Sequence, residues 1–143
     1  MADPRNATTR KGIRPQVETF PIDGTSITYS ATAARGSAQV DLAVKISGNN
    51  QIGLVDTNER ILGKLLHVEP DGMAAVQTGG YVELPGGAAA TLTPGTPIVG
   101  AQGASSAKGY IKTADNAQVA QATAGRGIIT DASTTTAVEV MLN

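Results

Sequence analysis

Few residues in this chain are of types that do chemistry. Its one histidine, His67, stands between Leu66 and Val68 in an apolar stretch. An imidazole can act as base, acid or metal ligand, but each role needs a second group beside it. The flanking sequence offers none, so a packing role is expected for His67. The carboxylates are dispersed singly. Asp56 and Glu59 in DTNER are near enough in sequence to suggest the acid/base pair of a hydrolase. Three charges in five residues between apolar pieces read instead as a charged turn. The glycine pairs Gly79-Gly80 and Gly86-Gly87 invite comparison with phosphate-binding loops. Such a loop must run from a strand into a helix N-terminus, and a Walker loop needs Lys-Ser/Thr after its last glycine. Strand-like sequence follows both pairs here, so they are read as turns.

The composition narrows the chemistry further. The chain has 143 residues and no cysteine, which removes disulfides, thiolate nucleophiles and Cys-based metal sites. With the histidine isolated, the carboxylates dispersed and no phosphate loop, no enzyme activity, metal or other cofactor is expected. The aromatics are three tyrosines and one phenylalanine, with no tryptophan, so the core must be built from Val, Ile, Leu and Ala. Burial stabilises in proportion to apolar area, at roughly 25 cal/mol per Å². Small side chains gain less of it, and help from a partner subunit fits such a core. Nucleic-acid binding would use aromatics beside basic residues. Four scattered aromatics on an acidic body make a poor surface for it, and no sequence-specific nucleic-acid binding is expected.

The net charge is −1, but it is unevenly spread. Residues 1–14 hold Arg5, Arg10, Lys11 and Arg14 against Asp3 alone, a balance of +3, and the rest of the chain carries −4. A basic leader on a mildly acidic body reads as an arm that docks on something else. The alternative is a solvated leader without a partner. The N-terminal sequence lacks the apolar region of a signal peptide. The longest uncharged run, 84–107, is rich in Gly, Ala, Thr and Pro and unsuited to spanning a membrane. Synthesis in the cytoplasm, with no membrane role, is the expectation.

The elements that must position these residues are short. Pro4 and Pro15 favour an extended segment, and an arm is expected over 1–35, ahead of a β-rich domain over 36–143. Within the arm, 17–22 and 26–30 read as short strands around the Asp23-Gly24 turn, the first an edge strand because of its proline. The clearest strand is 38–47, where Val40, Leu42, Val44 and Ile46 alternate with polar or small residues and so predict one buried face. Further strands are expected at 52–55, 81–84, 98–99, 109–114, 127–130 and 135–143. Residues 61–69 fit a helix or a strand with a bulge at Gly63, with strand preferred. Pro70-Asp71-Gly72 predicts a hairpin between 64–69 and 73–78. Residues 115–124 read as a short helix or a polar loop. Short strands at roughly ten-residue spacing, with turn signals between them, predict an all-β fold: a small barrel or sandwich of antiparallel strands.

The order of these pieces from about residue 52 onward resembles the capsid decoration (cement) proteins of tailed bacteriophages. The likeness is carried by Val76, Gly80, Val82 and Leu84, by the Thr93–Val99 turn, by Gly127 to Ile129, and by Val138, Val140 and Leu142 in the last strand. It implies a β-rich module, usually a homotrimer, on the outer surface of the virion. Such proteins bind at three-fold and quasi-three-fold positions and clamp neighbouring subunits of the major capsid protein after the shell expands. It also implies an N-terminal extension reaching a neighbouring subunit. Arg5, Arg10, Lys11, Arg14 and Phe20 are the candidate interface residues on that reading. A head-fibre or adhesin-like surface-binding module is the second reading, though no repeat or coiled-coil stem accompanies it. A β-barrel enzyme is the third.

Overall fold

The computed structural model describes residues 15–142. Among the described residues nine strands form in chain order: β1 (Gln16–Pro21), β2 (Ala43–Gly48), β3 (Gln51–Leu54), β4 (Gly63–Val68), β5 (Met73–Leu84), β6 (Ile98–Ala101), β7 (Tyr110–Thr113), β8 (Ile128–Asp131) and β9 (Val138–Leu142). One short helix, α1 (Val119–Ala124), precedes β8. The fold is all-β, and every pair of named strands is antiparallel.

The strands close two small circuits around two cores. In the first, β5 is flanked by β1 and β4, β4 pairs with β2, and β2 pairs with β3. The chain leaving β1 then returns to β3, where Ile22 bridges Ile52 and the Asp23 N–H donates to the Ile52 carbonyl at 2.9 Å. Inside lie Ile27, Val44, Ile52, Leu65, Val68 and Val76, with Phe20 and Ile22 packed against them. In the second circuit β5 pairs with β9 and β9 with β8. Ile98 and Arg126 exchange backbone hydrogen bonds, both 3.0 Å, which joins β8 to β6. The β6–β7 hairpin then meets the chain beyond β5, where Ile111 donates to the Pro85 carbonyl and accepts from the Gly87 N–H. Its core holds Ile61, Leu84, Ile98, Ile111, Ile129, Val138, Val140 and Leu142. These aliphatic side chains come from strands with period-two burial, seen most clearly in β9, where Val138, Val140 and Leu142 are buried.

β5 belongs to both circuits. The expectation of a turn at Gly79-Gly80 is overturned: the pair lies inside one twelve-residue strand. The glycines mark a change of partner instead. β1 and β4 pair with the first half, up to Gly79 and Gln77, and β9 takes over from Gly80. Gly80 has a φ of +85°, a left-handed conformation that disfavours a side chain. The Gln77 amide reinforces the change, donating to the carbonyls of Gly79 (3.1 Å) and Tyr81 (3.0 Å). Pro85-Gly86-Gly87 likewise does not reverse the chain. It runs beside β7, with Gly86 bridging Ile111, and the turn comes at 88–89.

Other expectations divide. The β4–β5 hairpin forms as expected, and 63–68 is strand, but the irregularity falls between Leu65 and His67 rather than at Gly63. Gly63 is required for another reason: a Cβ there would lie 2.0 Å from the Gln77 carbonyl oxygen. The expected strand 38–47 begins only at Ala43. Before it the chain turns, with Asp41 at a φ of +72° and its carboxylate held by Arg35 and Lys64. The expected apolar face holds for Val40, Leu42 and Val44, which pack into the first core, but not for Ile46, which is 51 % exposed. On the opposite face Ala43 enters the second core, since β2 lies where the circuits meet. Residues 115–124 do contain the short helix.

The segment 26–30 is a loop, not a strand. The Asp23 carboxylate accepts hydrogen bonds from the amides of Thr25, Ser26 and Ile27 and from the Ser26 hydroxyl, which curls the chain. That hydroxyl in turn accepts from the Leu54 N–H at 2.9 Å, tying the loop to β3. Residues 16–27, part of the expected arm, thus close the first circuit, while residues 1–14 lie outside the described residues. Burial alone would raise the Asp23 carboxyl. The hydrogen bonds from the Ser26 side chain and the three amides outweigh it and hold the group below the ordinary carboxylate range. A depressed folded-state pKa gives stability that is present above the unfolded-state pKa and is lost as pH falls through the folded-state one. Asp23→Ala should therefore cost about 1–3 kcal/mol at neutral pH, and the gap to wild type should narrow in acid. Urea denaturation at both pH values checks this, and a gap that is absent at neutral pH or undiminished in acid contradicts it.

Candidate interaction surface

The residues singled out for chemistry are engaged in shaping loops. Asp56 and Glu59 do form a turn, and their oxygens point at different partners. Glu59 accepts from the Asp56 N–H (2.7 Å) and pairs with Lys45 at 2.6 Å. Asp56 accepts from the Thr57 N–H (2.7 Å) and the Gln102 amide (2.8 Å), with Lys108 at 3.5 Å. The Thr57 amide, then Gln102 and Lys108, hold the Asp56 carboxyl below its ordinary range. The turn is also clamped to β6. Asn58 donates to the Gly100 carbonyl, Gly100 donates to Glu59, and a Cβ at Gly100 would lie 2.1 Å from the Asp56 carbonyl oxygen.

His67 does not pack. Its side chain is 41 % exposed and lies 2.9 Å from Glu69, an ion pair whenever the imidazole is protonated. The irregularity between Leu65 and His67 accounts for this, because it shifts the alternation that would have placed His67 otherwise. Phe20 is partly buried against the first core, with β1 otherwise exposed on most of its length. Of the expected interface residues it alone is described; Arg5, Arg10, Lys11 and Arg14 lie outside the described residues.

Arg126 was not singled out by the sequence, yet it joins more of the structure than any residue that was. Its guanidinium donates to the carbonyls of Ile61, Leu62 and Thr78, which belong to the β3–β4 connection and to β5. Its backbone pairs with Ile98 of β6. Burial, then the nearby Arg60 cation, lowers its pKa. Beside it a groove of about 590 Å³ is lined by Lys45, Ile46, Glu59, Arg60, Ile61 and Leu62. Nothing in GRGIIT marks Arg126, since its partners are up to 65 residues away.

The outer face of β5, β9 and β8 carries two rows in register. Tyr81, Met141 and Ile128 stand side by side, and so do Glu83, Glu139 and Asp131. Beneath them Val82, Val140 and Ile129 face the core. The Glu139 carboxylate accepts from the Thr130 hydroxyl at 2.8 Å. Among the described residues no group of three or more His, Asp or Glu is placed to hold a metal ion, and no helix is long and apolar enough to cross a membrane.

Compared with protein-family models, curated proteins and solved structures, the chain matches none.

The Arg126 clamp makes a direct prediction. Arg126→Met leaves three carbonyls without their guanidinium donor, and each unsatisfied buried group costs roughly 1–3 kcal/mol. The variant should lose at least that much unfolding free energy in denaturant titration. Arg126→Lys should recover only part of it, because an ammonium lacks the planar fork that reaches several acceptors at once. Full recovery by lysine contradicts the clamp.

Proposed function

We propose that this chain is a capsid decoration protein. On this reading it is a non-enzymatic, trimeric module that binds the outer surface of a phage head at three-fold and quasi-three-fold positions and bridges subunits of the major capsid protein. The observation that carries the reading is the order of strand and turn signals from about residue 52 onward, which resembles that family. In the fold those signals fall at structurally defined places. Val76, Gly80, Val82 and Leu84 run along the shared strand β5; Thr93–Val99 leads into β6; Gly127 to Ile129 opens β8; Val138 to Leu142 is β9. The polar side chains considered for chemistry, Asp56, Glu59 and His67, are taken up by turns and surface pairs, which is what a rigid binding module requires.

The physics of attachment suits such a role. A single small contact binds weakly, but three linked copies raise avidity by about 10²- to 10⁴-fold over one. The basic residues at positions 5–14 would contribute electrostatically and lose strength with salt, since the screening length is about 10 Å at 0.1 M.

Co-sedimentation with shells of the major capsid protein tests the reading. The full chain should saturate expanded shells and raise their unfolding temperature. Deleting residues 1–14 should leave the β body folded and weaken attachment, as should raising salt to about 0.5 M. Light scattering should give three times the 14.5 kDa chain mass, either free or on the shell. A chain that leaves shells bare at low salt contradicts the proposal, and a deletion variant that binds unchanged contradicts the role of the basic segment.

A further inference from the structure

We propose that the cavity on the outer side of the β6–β7 hairpin binds a small saccharide bearing an anionic group, a carboxylate or a phosphate, with Lys112 as its anchor. The cavity holds about 810 Å³, more than the groove beside Arg126. Ile111 belongs to the second core, so the alternation of β7 sends Lys112 to the opposite side. There it lines the cavity with Ala101 of β6. The loops that wall the cavity are tied down. The Ala88 N–H donates to the Gln102 carbonyl at 3.0 Å, and the Thr113 N–H to the Thr91 carbonyl at 2.9 Å. In the same loops Ala89, Ser105 and Ser106 are held at φ values of +51°, +57° and +61°. Left-handed backbone at such residues is strained, and strain of this kind concentrates at ligand sites.

The second argument is what the lining leaves unsatisfied. Among the described residues, Lys112 and Asp115 are its only charged members. Asp115 is satisfied by its own loop, accepting from the Ala117 N–H at 2.9 Å and the Gln118 amide at 3.3 Å. Gln121, 4 % exposed, is closed in the same way, accepting from the Asp115 N–H and donating to Gln118. Lys112 is half-buried and has no ion-pair or hydrogen-bond partner among the described residues. Partial burial of an unpaired ammonium is costly, and an anionic group on a ligand offsets that cost through a charge-assisted hydrogen bond. The rest of the lining selects the body of the ligand. It consists of hydroxyls and carboxamides, with alanines as the only apolar side chains. Groups that both donate and accept match a ring of hydroxyls, and there is no hollow for a large apolar side chain of a peptide. No aromatic ring lines the cavity for a sugar to stack on, so the affinity should be millimolar. The inference does not depend on whether the protein coats a shell.

The test titrates the full ¹⁵N-labelled chain at low salt with glucuronate and, separately, with glucose-6-phosphate. At least one of them should shift the amides of residues 88–91, 102–106 and 112–118 saturably and leave the rest of the spectrum in place. Binding of only one identifies the anionic group as a carboxylate or a phosphate. Uncharged glucose, acetate and inorganic phosphate should each bind about fivefold more weakly or worse, since each lacks either the charge or the hydroxyls. Lys112→Met should bring the charged sugar down to the level of glucose, as should about 0.5 M salt, and Lys112→Arg should restore most of the difference. Asn116→Ala, at an exposed lining position, is a second variant should Lys112→Met not fold; it should weaken the charged sugar and leave acetate unchanged. No saturable shift with either charged sugar overturns the proposal. So do shifts centred on another surface, acetate or inorganic phosphate binding as tightly as the sugars, or undiminished binding in the folded Lys112→Met variant.

Discussion

One strand has to satisfy two cores. β5 carries Ala74 and Val76 into the first and Val82 and Leu84 into the second, and both circuits of strands start from it. Neither circuit could be completed by a pair of independent hairpins, because each uses half of β5 as a wall. The partner change at Gly79-Gly80 is therefore the constraint on which the rest depends. It needs a backbone conformation that glycine adopts at little cost. Side-chain donors brace it, the Gln77 amide at the Gly79 and Tyr81 carbonyls and the Arg126 guanidinium at the Thr78 carbonyl.

The two cores are aliphatic and small, and the circuits around them are closed by few hydrogen bonds. Ile22 to Ile52 closes one, and Arg126 to Ile98 with Ile111 to Gly86 closes the other. Such closures cover part of the strand edges, which would otherwise offer pairing sites to other chains. Close backbone approach makes the closures possible. Gly63 passes the Gln77 carbonyl and Gly100 passes the Asp56 carbonyl at distances that no side chain allows. The charged turn 56–60 thus serves the architecture, because its hydrogen bonds to Gly100 fix β6 against the β3–β4 connection.

This arrangement accounts for the division of charge. Loops and edges take ionic groups in pairs, as with Lys45 and Glu59 or Arg35 and Asp41, and strand pairing brings Glu83, Glu139 and Asp131 into adjacent register positions on the β5–β9–β8 face.

Local signals determined much of the secondary structure. Alternation in 138–142, the Pro70-Asp71-Gly72 turn between β4 and β5, and the short spacing of strands were enough to establish an all-β fold, because side-chain period and turn chemistry act over a few residues. The sequence likewise showed that residues 1–14 are net positive and the rest of the chain net negative. It could not show that a glycine pair would change a strand's partner rather than end it, because both outcomes use the same positive φ. Nor could it show that the strand expected over 38–47 would begin only at Ala43, since Arg35 and Lys64 hold Asp41 in a turn from elsewhere in the fold. The Arg126 clamp and the acidic row had no local signature at all. Their members are separated by tens of residues and meet only when β5, β8 and β9 pair, so register across strands, which is a tertiary property, decided them.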